Sequence, residues 1–250
     1  MARTDASLLE KLQGVIERTY DLRTGVRDIG RYLIGDEGYR RIYGELAAAG
    51  RLVEKVGTAV TAGAGARTLL RESGKGGLAV LVYYPDSLIE CLEKNDPTRR
   101  LDDANIDAFS VLVEELDHFL VIADRYRRGG EASLLELELH ANVTKHLMLG
   151  MFVGKMRRTS RLSHADKAWI RFHLFEKGIY SDPDPDVRNR YHDASRFAAR
   201  YVDRLDRLSP LHRVRELKRF HRMSSQAMIG HLSGDRVVMG SDRPGDRAGR

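Results

Sequence analysis

Two stretches of this sequence repeat the same pair of chemically capable residues. VEELDHF at 113–119 sets Glu114 four residues before His118, and LELELHA at 135–141 sets Glu136 four residues before His140. Glutamate and imidazole one helical turn apart can point at one spot. If the two pairs faced each other, they would offer two imidazole nitrogens and two carboxylates, a set that suits zinc, or iron or manganese where positions stay open. The metal reading therefore places Glu114, His118, Glu136 and His140 around one ion. The structural alternative has each histidine bonding its own-helix glutamate, with the two pairs pointing apart. Glu115 and His118 have the Glu-x-x-His spacing of di-iron bundles, but no second copy follows in LELELHA. The His-Glu-x-x-His of zinc proteases is absent. Glu138 and Lys145 fall on another face of the second segment and fit a polar network.

Both segments read as helices. Asp102 or Asp103 caps a run to about Arg128, stopped by Gly129-Gly130, and Ser133 caps the next, to about Val153. Such a short connection predicts an antiparallel pair over 102–128 and 133–153, with Leu112, Leu116, Phe119, Leu120, Val143 and Leu147 buried. At 100° per residue, Glu114 and His118 lie opposite Leu116, on a mixed stripe expected to meet water.

The runs EELDHFL and LELELHANVTK, with SLLEKLQGVIERTYDL near the start, resemble an uncharacterised family of bacterial hypothetical proteins. Its members carry a Glu and a His-Phe-Leu in the first run, and a Leu-Glu-Leu-Glu and a Lys in the second. The resemblance covers roughly a third of the chain and implies no known activity. Relatives often have Gln where this chain has His140, so the resemblance points to Glu114 and His118 rather than to a four-residue site.

The rest of the chain predicts what must position these segments. Ser7 and Glu10 have capping-box spacing before an amphipathic run through Thr19. Glycines break the chain after Asp21, with a helix at Glu37–Ala49 and a loop in GTAVTAGAGA at 57–66. ARTLLRES and LAVLVYYP, joined by GKGG, predict a β-hairpin. Ser87–Lys94 is a short helix carrying Cys91 as a small buried hydrophobe. Further helices are expected at Ser163–Lys177, from Asp184-Pro185 to Leu208, and at Arg213–Leu232. The fold class expected is mainly α: a helical bundle over 101–232, an N-terminal helix-plus-β-hairpin region over 1–100, and a disordered tail over 233–250.

Composition narrows the function classes. The 250 residues are 42% hydrophobic and 31% charged, an ordinary globular balance. No stretch approaches the roughly 18 apolar residues of a membrane span. The start, MARTDASLLEKLQG, lacks the apolar core of a signal peptide, so the expected location is the cytoplasm. A single cysteine excludes an intrachain disulfide and a thiolate metal cluster. Gly74-Lys75-Gly76 is no phosphate loop, because Leu69 and Gly76 stand where glycine and a hydroxyl residue are needed. DPDPD at 182–186 lacks the alternation of a calcium loop, and there is no G-x-S-x-G nucleophile elbow.

The net charge of +6 hides an asymmetry. Residues 1–154 carry 20 Lys+Arg against 24 Asp+Glu, or −4, and residues 155–222 carry 18 against 9, or +9. Arg215, Lys218, Arg219 and Arg222 form a cationic stripe opposite Val214, Leu217, Phe220 and Met228, suited to phosphates or to an acidic protein surface. The reading that results is a cytoplasmic, non-catalytic accessory or partner-binding protein. Its alternatives are a metal-binding helical protein, with or without enzyme activity, and a nucleic-acid binder working through the basic C-terminal helix.

Overall fold

The computed structural model describes residues 7–48, 55–56, 65–73, 77–178 and 184–233. The fold is mainly α, with a small sheet. Helix α1 (Leu8–Tyr20) opens with the expected capping box: Ser7 Oγ accepts from the Glu10 backbone, and the Glu10 carboxylate accepts from the Ser7 N–H. It ends where Asp21 turns left-handed at φ 63°. A 3-10 turn leads to β1 (Leu33–Ile34) and α2 (Asp36–Ala48), followed by β2 (Lys55–Val56), β3 (Arg67–Ser73), β4 (Gly77–Tyr83) and α3 (Asp86–Lys94). The predicted hairpin is β3 and β4, paired antiparallel from Arg67–Tyr83 to Ser73–Gly77. The sheet order is β1-β4-β3-β2, with β1 parallel to β4. The 57–66 loop lies largely, and the hairpin turn and the tail from 234 entirely, outside the described residues.

Helices α4 (Ile106–Arg127) and α5 (Leu134–Arg157) form the centre. They are antiparallel, reversed at Gly129, whose φ of 70° suits a residue without Cβ. Helix α4 starts two or three residues later than its capping signals suggest, with Asn105 at the N-cap. Asp102 spends its carboxylate on the Ala104 N–H, Asn105 Oδ1 accepts from the Asp102 N–H, and the Asn105 amide donates to the carbonyls of Asn95 and Arg100. The aspartates thus build a turn ahead of the helix. Ser133 caps α5 as expected, and α5 runs on to a left-handed Arg158.

Helix α6 (His164–Arg171) widens into a π-helical turn over Phe172–Glu176, closed by the Lys177 N–H on the Phe172 carbonyl. Helix α7 (Pro185–Asp206) begins with Asp184 as cap and Pro185 in its first turn. The last expected helix is in fact two, α8 (Pro210–Arg222) and α9 (Ser225–Ser233). The chain extends at Met223 (ψ 148°), where Arg125 takes the carbonyls of His221 and Met223 that a continuous helix would have used internally.

One apolar core runs from Leu12, Ile16 and Tyr20 through Val82, Leu88, Phe109 and Leu116 to Val143, Tyr201 and Phe220. It joins the N-terminal elements to the helices. Leu112, Leu116, Phe119, Leu120 and Val143 are buried as predicted, while Leu147 is half-buried. The stripe of α4 opposite Leu116 is not wet: Glu114, His118, Val121 and Ile122 are all buried, because α5, α1 and the sheet enclose the helix. No helix among the described residues is long and apolar enough to cross a membrane.

Candidate functional site

Six carboxylates and three histidines are buried in and beside the α4–α5 interface: Glu114, Glu115, Asp117, Asp124, Glu136 and Glu138, with His118, His140 and His221. Burying charges costs several kcal/mol each unless they are paired, so how this concentration is paired decides whether it is a reactive site or a support of the fold. Helical period explains who meets whom. On α4, Glu114 and His118 share one stripe, while Asp117 and Asp124, seven residues apart, share another. On α5 the corresponding stripes are Glu138–Lys145 and Glu136–His140–Thr144.

The contacts across the interface differ from the expected ones. The Glu114–His118 stripe faces Glu138 and Lys145, which sequence reasoning had set aside as a separate network. Lys145 pairs with Glu114, and His118 Nε2 lies 3.9 Å from Glu138. Glu136 pairs instead with Arg125 at 2.5 Å, and His140 Nδ1 with Asp117 at 2.8 Å. Neither histidine bonds the glutamate four residues before it, so the own-helix ion pairs do not form.

His118 is fully enclosed, and both of its nitrogens lack a hydrogen-bond partner. A Glu115 oxygen stands 3.7 Å from Nδ1 and a Glu138 oxygen 3.9 Å from Nε2, beyond hydrogen-bond range but close in charge. Burial alone would lower this imidazole; the carboxylates of Glu115, Glu138 and Glu114 outweigh it and push the pKa up to about 10. Burial raises Glu138 to about 7, with Glu114 adding to the rise and His118 and Lys145 opposing it. Glu115 is raised mainly by burial even though Thr68 of β3 donates to it at 2.9 Å. Glu114 goes the other way, because Lys145 and His118 overcome its burial. Two carboxylates on opposite nitrogens of one ring suit a bridging imidazolium rather than a shared metal. Among the described residues no three His, Cys, Asp or Glu side chains group so as to hold an ion.

The second cluster is a hydrogen-bonded chain. Tyr20 Oη and Thr144 Oγ1 are 3.0 Å apart, Thr144 donates to Asp117 at 2.8 Å, and the other Asp117 oxygen takes His140 Nδ1. Next to His140, with ring centres 5.3 Å apart, is His221 of α8, whose Nε2 bonds Asp124 at 3.0 Å. Asp124 also accepts from the Arg23 backbone and from Arg128, contacts that overcome its burial and lower its pKa. Burial, then His140, pushes His221 down to about 4. Asp117, Asp124 and His221 were missed in sequence. The seven-residue repeat of aspartate on an otherwise apolar helix was the available signal for the first two.

The basic stripe is divided. Arg219 forks onto Glu216 of its own helix at 3.0 Å and also contacts His231 of α9, and Arg222 pairs with Asp21 at 2.6 Å, so these two are engaged in ion pairs although both stay half exposed. Arg215 and Lys218 form no ion pair among the described residues. Val214 joins them rather than the core: it is 46% exposed and Leu211 61%, whereas Leu217, Phe220 and Met228 are buried. Comparison of this chain with protein-family models, with curated proteins and with solved structures finds no match to any of them.

Proposed function

We propose that this chain is a non-catalytic binding protein that engages an acidic partner through the outer face of α8. The observation that carries the reading is one stripe: Leu211, Val214, Arg215 and Lys218 recur at i, i+3, i+4 and i+7, two of them apolar and exposed, two cationic and without an ion pair among the described residues. That spacing is how a helix presents anchors to a groove. The +9 charge of residues 155–222 favours an acidic groove over a neutral one. The reactive groups of the interior, by contrast, are enclosed and largely engaged with one another, which fits support of the fold better than turnover of a substrate.

A photo-crosslinker placed at position 214 tests this, with Phe172, an exposed residue on another element, as the control position. The expected adduct is an acidic protein formed from position 214 alone. Its binding weakens with salt and is abolished by Leu211→Asp combined with Arg215→Glu, while the circular dichroism of the variant stays unchanged. Equal binding of arbitrary duplex DNA, with a steep salt slope, would transfer the surface to nucleic acid. No specific adduct from position 214 would overturn the proposal.

A further inference from the structure

One ring nitrogen ties three helices together. His231 of α9 turns its Nε2 to Arg204 of α7 at 2.8 Å, and to Arg219 and Glu216 of α8, each at 3.0 Å. The proton state that suits this spot follows from its donors and acceptors. Guanidiniums only donate, so a lone pair on Nε2 accepts from both arginines. A proton there would satisfy Glu216 alone, and Arg219 already forks onto both oxygens of that carboxylate. The arrangement therefore favours the neutral ring, with its proton on Nδ1.

Charge points the same way. Helix α7 presents Arg204 to His231, α8 presents Glu216 and Arg219, and α9 carries no acidic or basic residue of its own besides His231. With the ring neutral, two cations stand against one carboxylate; a protonated ring makes it three against one. Burial lowers this imidazole, the Glu216 contact opposes it, and Arg204 and Arg219 add to the fall, so the ring titrates below the ordinary 6.5. A depressed folded pKa means that the contact's contribution is present above that value and is lost as pH falls. What hangs on the contact is α9. Of its described side chains, Met228 enters the core, 1% exposed, His231 makes these contacts, and Gln226 and Ala227 are exposed. A helix of nine residues is too short to persist by itself in water, so α9 holds its shape only while docked.

We propose that α9 is a pH-sensitive strap: neutral His231 clasps it to Arg204 of α7 and Arg219 of α8, and protonation of Nε2 puts a third cation into the clasp and releases the helix. Histidine is the side chain whose charge changes under mild acidification, which is how such contacts come to sense pH. The opening is local, leaving the packing of α4, α5 and α7 in place. The device does not rest on the partner-binding reading of α8, whose Leu211, Val214, Arg215 and Lys218 take no part in the clasp.

The test is an NMR titration of the full chain from neutral pH into the acid range, reading the methionine methyls by carbon-13 and the histidine rings by nitrogen-15. At neutral pH His231 should show the Nδ1-protonated form. Its midpoint should lie below 6.5, and the Met228 methyl should move to its solvent-exposed position with that same midpoint, while Met148, buried on α5, stays put. His221, held down to about 4, reports a separate and later event. Arg204→Met, at a half-exposed site, should raise the His231 and Met228 midpoints together toward 6.5. His231→Gln, which keeps an acceptor and loses the titration, should leave the Met228 methyl in one position across the range. Met228 staying docked while His231 titrates would overturn the strap. So would a Met228 transition that keeps its midpoint in His231→Gln.

Discussion

The two halves of the buried network use the same residue types and arrive at opposite protonation states. Around His118 three glutamates crowd one imidazole, and the ring is held charged, its pKa pushed up to about 10. At His221 one aspartate faces the ring, but Arg128 and the Arg23 backbone already share that aspartate, His140 stands alongside, and the pKa falls to about 4. Burial opposes the charged ring in both places. What differs is how much negative charge is left unclaimed by other cations, so a histidine's state in a core is set by its neighbours' other obligations.

The largest expected effect breaks the first half directly. Lys145→Met leaves Glu114 buried beside the other acids without its cation, and should cost about 3–5 kcal/mol in urea unfolding; adding Glu114→Gln should recover much of it. Full recovery failing in the double variant would show that Lys145 serves the whole carboxylate group rather than one partner. Leu116→Ala, at a fully enclosed position in the apolar core, should cost about 2–5 kcal/mol by the same measurement.

The pH dependence sharpens the contrast because the signs oppose. His118 has a folded pKa above the ordinary 6.5, so its contribution is complete below that pH and is lost as pH rises through about 10. Glu138, raised from 4.5 to about 7, also favours the folded chain at the acid end, its contribution being lost as pH climbs through that window. His221 is depressed, so its contribution is present above about 6.5 and lost as pH falls through about 4. Thermal unfolding against pH should therefore lose its alkaline decline in His118→Gln and its acid decline in His221→Gln. The same limb flattening in both variants would refute the division. The smallest effect is expected at Arg222→Ala, which removes a surface pair with Asp21 and should change stability by about 0–1 kcal/mol.

What was legible in the sequence was local. Ser7 with Glu10, Ser133, Asp184 with Pro185, and the two apolar runs of the hairpin each signal their element within a few residues, and each element forms. Strands β1 and β2, two residues each, were not legible, because their only support is pairing with β4 and β3 far along the chain. The break at Met223 likewise depends on Arg125, roughly a hundred residues away in sequence. The site followed the same rule. The i, i+4 pairs were visible, but which α5 stripe each would meet depends on how two helices are rotated against one another. Spacing within a single helix does not contain that angle.

Arg125 has a consequence for motion. One guanidinium of α4 holds Glu136 in the first turn of α5 and the carbonyls of His221 and Met223 where α8 ends. Freeing either end would strip this guanidinium, only 16% exposed, of part of its acceptor set, so the start of α5 and the end of α8 should open together. In hydrogen exchange their amides would then form one cooperative unit, with a shared opening free energy, although more than eighty residues of chain separate them.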